Sequence, residues 1–178
     1  MKTPLRALAL LGLLLASCSP PDGERRPLEA FHEGPEPQTL RVKGEEVFYQ
    51  GSWVKDGPVI FYDRDGKATH EGSYALGLES GPWSERGEDG ILGTGNYVKG
   101  SRHGEWEYRY ASGELQSSGR YDNGKRVGQW KRWYIDGTLE AELPYKDGSL
   151  EGVVKVWDPE GGPDPEASGT FRGGERVR

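Results

Sequence analysis

The residues able to do chemistry are few and scattered. The three histidines fall at unrelated places: His32 in a proline-rich stretch, His70 in a hairpin pattern and His103 beside a turn. Cys18 is the only cysteine, so no disulfide forms within one molecule, and no serine stands in a nucleophile motif. The run Gly119-Arg120-Tyr121-Asp122-Asn123-Gly124-Lys125-Arg126 follows a phosphate-binding loop up to its last position. There Arg126 replaces the Ser or Thr that would meet magnesium, and a strand pattern follows where a helix is required. Asp63-Arg64-Asp65-Gly66 has the look of a calcium-loop fragment, but Phe61 and Gly72 occupy the first and twelfth ligand places. Glu105 and Glu107 share one strand face without identifiable acids opposite, which reads as a solvated face rather than a glycosidase pair. The cluster Lys125, Arg126, Lys131 and Arg132 reads as a solvated turn and strand edge. These observations point away from an enzyme and assign no cofactor and no metal.

What positions these residues is a repeat. Glycines at 57, 81, 104, 128 and 152 stand 24, 23, 24 and 24 apart, and each has a partner nine positions on, at 66, 90, 113, 137 and 161. A third column, Gly77, Gly100, Gly124, Gly148 and Gly174, has an aromatic three residues before each member: Tyr74, Tyr97, Tyr121, Tyr145 and Phe171. A fixed period of this length marks an array of small supersecondary units. Within one unit, Glu105-Trp106-Glu107-Tyr108-Arg109-Tyr110 alternates polar and aromatic, the period of a half-buried strand. Asp65-Gly66, Asp89-Gly90 and Asp136-Gly137 mark one tight turn, Asn123-Gly124 and Asp147-Gly148 a second. Lys99-Gly100 and Leu76-Gly77 are weaker members of that second column. Each unit therefore predicts two strands and two turns, about ten strands in five units, with one more over Glu46–Tyr49. The expected fold is all-β: a single-layer antiparallel meander, twisted or curled, whose cross-strand aromatics such as Trp106, Trp130 and Tyr108 supply stability. Helix is disfavoured because no stretch between glycines is long enough.

Gly119 to Gly137, GRYDNGKRVGQWKRWYIDG, resembles the MORN repeat in its bacterial variant, and the resemblance extends over about 51–174. It implies a binding or scaffolding module whose partner is another protein. It also implies an alternative, an antitoxin or immunity protein that binds and neutralises one cognate toxin. Contact residues are expected among Tyr62, Trp133 and Trp157, which break the alternation of their strands and should point away from the main aromatic row.

The chain begins with Lys2 and Arg6 beside an apolar run from Ala7 to Leu15, too short to span a bilayer and typical of a secretory signal. Leu15-Ala16-Ser17-Cys18 resembles a lipobox, which makes Cys18 the lipidated first residue of the mature protein. Residues 1–17 are then a signal peptide, 18–40 a Pro-rich tether of roughly 60 Å reach, and 41–178 the repeat domain. The expected location is the cell envelope, lipid-anchored, with Ser19 favouring the outer membrane. With the first 17 residues set aside, 21 basic side chains stand against 29 acidic, a net charge of −8. That balance disfavours nucleic acid and anionic headgroups as general partners.

Overall fold

The structure is a computed structural model that describes residues 20–31, 33 and 40–177. Cys18, the signal segment and His32 lie outside the described residues. A hairpin of β1 (Arg25–Phe31) and β2 (Leu40–Tyr49) comes first. Four units follow: β3 (Ser52–Tyr62) with β4 (Ala68–Ala75), β5 (Leu78–Arg86) with β6 (Leu92–Val98), β7 (Ser101–Arg109) with β8 (Leu115–Asp122), and β9 (Lys125–Trp133) with β10 (Leu139–Lys146). In the fifth unit the first strand is divided into β11 (Ser149–Leu150) and β12 (Gly152–Val156), and β13 (Gly169–Arg172) and β14 (Glu175–Arg176) complete the series. All lie in one antiparallel sheet of 14 strands, in chain order and without closure into a barrel. The excess over the expected count is β1, β14 and the division of one strand.

Each glycine column has its own conformational reason. At the outer turn, Gly66, Gly90, Gly113, Gly137 and Gly161 all take positive φ, and so do Gly77, Gly100, Gly124, Gly148 and Gly174 at the inner one. In the inner turns the preceding residue is left-handed as well: Leu76, Lys99, Asn123 and Asp147 lie at φ +46 to +51°. Two successive positive φ values are the type I′ geometry that matches strand twist. Gln50-Gly51 builds the same turn between β2 and β3. The remaining column, Gly57, Gly81, Gly104, Gly128 and Gly152, sits within the strand pattern, also at positive φ. Register shifts flank it, as between Thr94 and Asn96 against β7 and between Ser118 and Arg120 against β9, so these glycines form a bulge in every unit. A recurring bulge adds local twist, which is how so long a sheet avoids lying flat.

Part of the expected tether is folded. Arg25–Phe31 pairs with β2 along its length. Leu28 and Ala30 pack on the buried Val42, Val59 and Trp83. Arg26 lies 4.1 Å over the Trp53 ring and meets Glu46 at 2.8 Å. Arg25 binds Asp56, whose carboxyl the Leu76 backbone N–H and Arg25 hold below its ordinary range. Pro27 misled the sequence reading, but an edge strand tolerates proline because one side of its backbone needs no partner.

Much of the core is a row of aromatic side chains, which Val42 and Val59 join beside Trp83. Trp106 and Trp130 are each 1% exposed although, among the described residues, no second layer covers them. Tyr74, Trp83, Tyr97, Trp106, Tyr121, Trp130 and Tyr145 follow one another edge to face, with centroids 5.1 to 6.3 Å apart. Edge-to-face contact suits the ring quadrupoles. Every tryptophan of the row also donates its indole N–H at 3.1 Å to the carbonyl ten residues earlier: Trp83 to Ser73, Trp106 to Asn96, Trp130 to Arg120.

Candidate binding face

An indole can lie this close to the sheet only where a side chain is missing beneath it. Gly72, Gly95 and Gly119 provide those places: a Cβ added there would stand 2.2, 2.3 and 2.3 Å from the nearest indole atom of Trp83, Trp106 and Trp130. Arginines cover the row from above. Arg102 is 4.9 Å over Trp106 and 5.8 Å over Tyr121; Arg126, its counterpart in the next unit, is 4.4 Å over Trp130 and 5.4 Å over Tyr145. Lys55 takes the equivalent place over Phe61 and Tyr74. Stacked cations are favourable over aromatic faces and leave their outer N–H groups free to bond.

Above this row the face carries two adjoining open hollows, of about 500 and 390 Å3, which share His70 and Glu85. The smaller is walled by Phe61, Tyr74, Trp83 and Tyr97; the larger runs from Glu85 past Gln116 and Ser117 to Arg126. Glu85 is the centre of the polar network. It accepts a hydrogen bond from the Tyr97 hydroxyl and another from Arg102 at 2.6 Å. Tyr108 and Tyr121 share one at 3.1 Å, and Arg126 donates to Tyr121 at 3.5 Å and to Tyr145 at 3.3 Å.

Burial, then the Glu85 carboxylate, pushes the Tyr97 hydroxyl upward, and burial with the Tyr121 hydrogen bond does the same to Tyr108. Tyr74 is pushed up to about 12 by burial and the neighbouring Glu79. Burial would raise Tyr121 too, but the hydrogen bond from Tyr108 and the Arg126 guanidinium bring it below its ordinary value. Burial disfavours the Arg102 cation, and the Glu85 bond more than restores it. The raised phenols thus stay protonated and the Glu85-bound guanidinium stays charged around neutral pH.

The sequence-selected contact residues are distributed differently. Tyr62, Trp133 and Trp157 occupy one column of the repeat, near the outer turn. Trp133 follows Trp130 by three residues on a regular strand, so pleat alternation turns it to the face opposite the aromatic row. All three are half-buried. The Trp133 and Trp157 carbonyls accept hydrogen bonds from Tyr110 and Tyr134 at 2.8 and 2.9 Å. Trp133 and Trp157 belong to adjacent units, whereas Tyr62 lies on β3, six strands from β9, and lines the smaller hollow beside Phe61 and Tyr74 rather than standing away from the row. Among the large apolar residues described, the most exposed are Ile135 at 61% and Val153 at 58%, which carry no signal in the repeat pattern.

The other sequence features fall into place locally. Asp63 accepts the backbone N–H groups of Asp65 and Lys67 inside its own turn. Glu105 and Glu107 are exposed, and Glu107 pairs with Arg109 at 2.7 Å. The basic cluster separates: Lys131 meets Glu142 and Arg132 meets Glu140, while Arg126 turns onto the aromatic row. Among the described residues no three His, Cys, Asp or Glu stand together as metal ligands, and no helix is long and apolar enough to cross a membrane. Sequence reasoning missed the glycine beds and the Arg102/Arg126 column. Both were signalled, by a glycine two residues before Tyr74, Tyr97 and Tyr121 and by a basic residue recurring 24 positions on.

The family model of the MORN repeat variant matches residues 102–123 and 126–147, the two units that hold Arg102, Trp106, Tyr121, Arg126, Trp130 and Tyr145. No curated protein matches the chain.

Proposed function

We propose that this MORN-repeat protein is a non-enzymatic binding module, anchored in the bacterial envelope through Cys18, that presents its sheet to another protein. One observation carries the reading: the aromatic row is closed by its own packing, and what it leaves outside is a long, open, polar-rimmed hollow rather than an enclosed reaction chamber. An elongated surface of that kind suits a segment of polypeptide. The opposite face, with Trp133 and Trp157 in adjacent units, would offer a second contact surface, whereas Tyr62 belongs to the wall of the smaller hollow on the first.

The anchor is supported by the signal pattern and by Cys18 at its end. The folded part begins close behind it, since Gly23 donates to the Phe48 carbonyl at 2.9 Å and Asp22 accepts the Gln50 N–H at 3.0 Å. Four residues from Cys18 to Asp22 reach roughly 14 Å, so the sheet would stand against the bilayer surface rather than on a long leash. Ser19 favours the outer membrane as its location.

The test is a crosslinking pull-down from intact cells, wild type against Cys18→Ala. The variant should remain folded, leave the membrane fraction and lose the partner that the wild type captures. Sedimentation of the variant with membranes would overturn the lipid anchor, and absence of any captured protein would overturn the scaffold. Recovery of a single toxic protein as partner would make the chain an antitoxin.

A further inference from the structure

The repeat allows one unit to be read against the next. In the pair formed by Glu85 and Arg102, a guanidinium stacked on Trp106 has its outer face completed by a carboxylate from the preceding unit at 2.6 Å. One unit on, Arg126 takes the same pose on Trp130 and Tyr145. The residue at the Glu85 place is now Tyr108, 23 positions later, and its hydroxyl is engaged with Tyr121. Arg126 therefore has two phenol oxygens at 3.3 and 3.5 Å, and among the described residues it pairs with no carboxylate. Its half-buried guanidinium lines the larger hollow next to Gln116 and Ser117, both neutral. The acids of that hollow, Glu85, Glu88 and Asp89, belong to the units before it.

From this internal comparison we infer that Arg126 is a receptor for a carboxylate supplied from outside, an Asp or Glu side chain of an extended segment of a partner protein lying in the hollow. The fold has already shown what fits this pose, because Glu85 fills it one unit earlier. A planar guanidinium held by stacking is preorganised for bidentate pairing with such a group. At one end of the hollow Glu85, Glu88 and Asp89 outnumber Arg86 and Arg102, whereas Arg126 stands at the other without a carboxylate among the described residues, which fixes where an acidic residue docks. This deepens the protein-binding reading and rests on it.

The test uses the full chain bearing Cys18→Ala and follows tryptophan fluorescence at low salt. The probes are an N-acetylated, amidated (Glu-Tyr)4 peptide, its (Gln-Tyr)4 counterpart, inorganic phosphate, and vesicles of anionic phospholipid. The Glu peptide should bind at least ten-fold more tightly than the Gln peptide, and Arg126→Gln should erase that difference. Tyr108→Glu restores the missing acid from within. It should abolish the preference in a chain whose unfolding transition remains cooperative, so the site remains testable even where Arg126→Gln fails to fold. Equal binding of the two peptides, a preference that survives Tyr108→Glu, or saturation by phosphate or vesicles in place of the Glu peptide would each overturn the assignment. If the cellular partner is still captured by Arg126→Gln, the site fails and the scaffold stands; if the Glu preference holds but no protein is captured, the reverse follows.

Discussion

Gly119 shows how one residue can serve two patterns. In the sequence it begins a near-match to a phosphate loop; in the fold it is the bed on which the Trp130 indole rests, 2.3 Å from where a Cβ would be. Its backbone is not left-handed, so the requirement is for space rather than for φ. Gly119→Ala should therefore lower stability by about 1–3 kcal/mol through overpacking, because Trp130 must lift and lengthen its bond to the Arg120 carbonyl. Urea unfolding measures this, and an unchanged midpoint would mean that the indole has another place to go. The tryptophans and tyrosines of the row were legible as a period-two pattern. The glycine beds were not read, because the side chain they accommodate comes from a different strand.

At the level of turns and strands, the inner turns were signalled by Asn-Gly and Asp-Gly and tolerate worse chemistry elsewhere. Leu76 adopts φ +48° with its side chain 48% exposed, a conformation that costs an ordinary L-residue roughly 1–2 kcal/mol. Asparagine suits that region better. Leu76→Asn should raise the thermal midpoint, by about 1 kcal/mol of added stability, with the neighbouring Asp56 bond to the residue 76 backbone retained. A lower midpoint would show that the leucine side chain contributes packing that outweighs the strain. The strand β1 was illegible for the opposite reason: its proline and charges describe an extended chain, and its pairing depends on Val42, Trp53 and Asp56, which are distant in sequence.

Taken whole, the molecule is nearly one-dimensional, each unit resting on its two neighbours. Its polar groups accordingly report on the row as a set. Tyr74, raised to about 12, and Tyr97 and Tyr108, also raised, are neutral in the folded state at pH values where the unfolded chain already loses phenolic protons. Their contribution is complete below about pH 10 and declines as pH rises from there toward 12, because the unfolded state then binds fewer protons. Tyr121, lowered by its partners, opposes this with one group against three. Urea midpoints measured from about pH 10 to 11.5 should fall with pH, and Tyr74→Phe should flatten the fall. A midpoint that rises over that range would contradict the burial of the row.

The sequence by itself determined the repeat, the strand alternation and both turn columns, because these depend on backbone conformation and on neighbours within a few residues. Only the tertiary structure decided which face closes on itself, that Arg25–Phe31 joins the sheet, and that Arg126 stands over Trp130 without the acid that Arg102 receives. Those outcomes depend on side chains one or two strands apart, and strand register, which brings residues from separate units into contact, is set by the whole sheet rather than by any one segment.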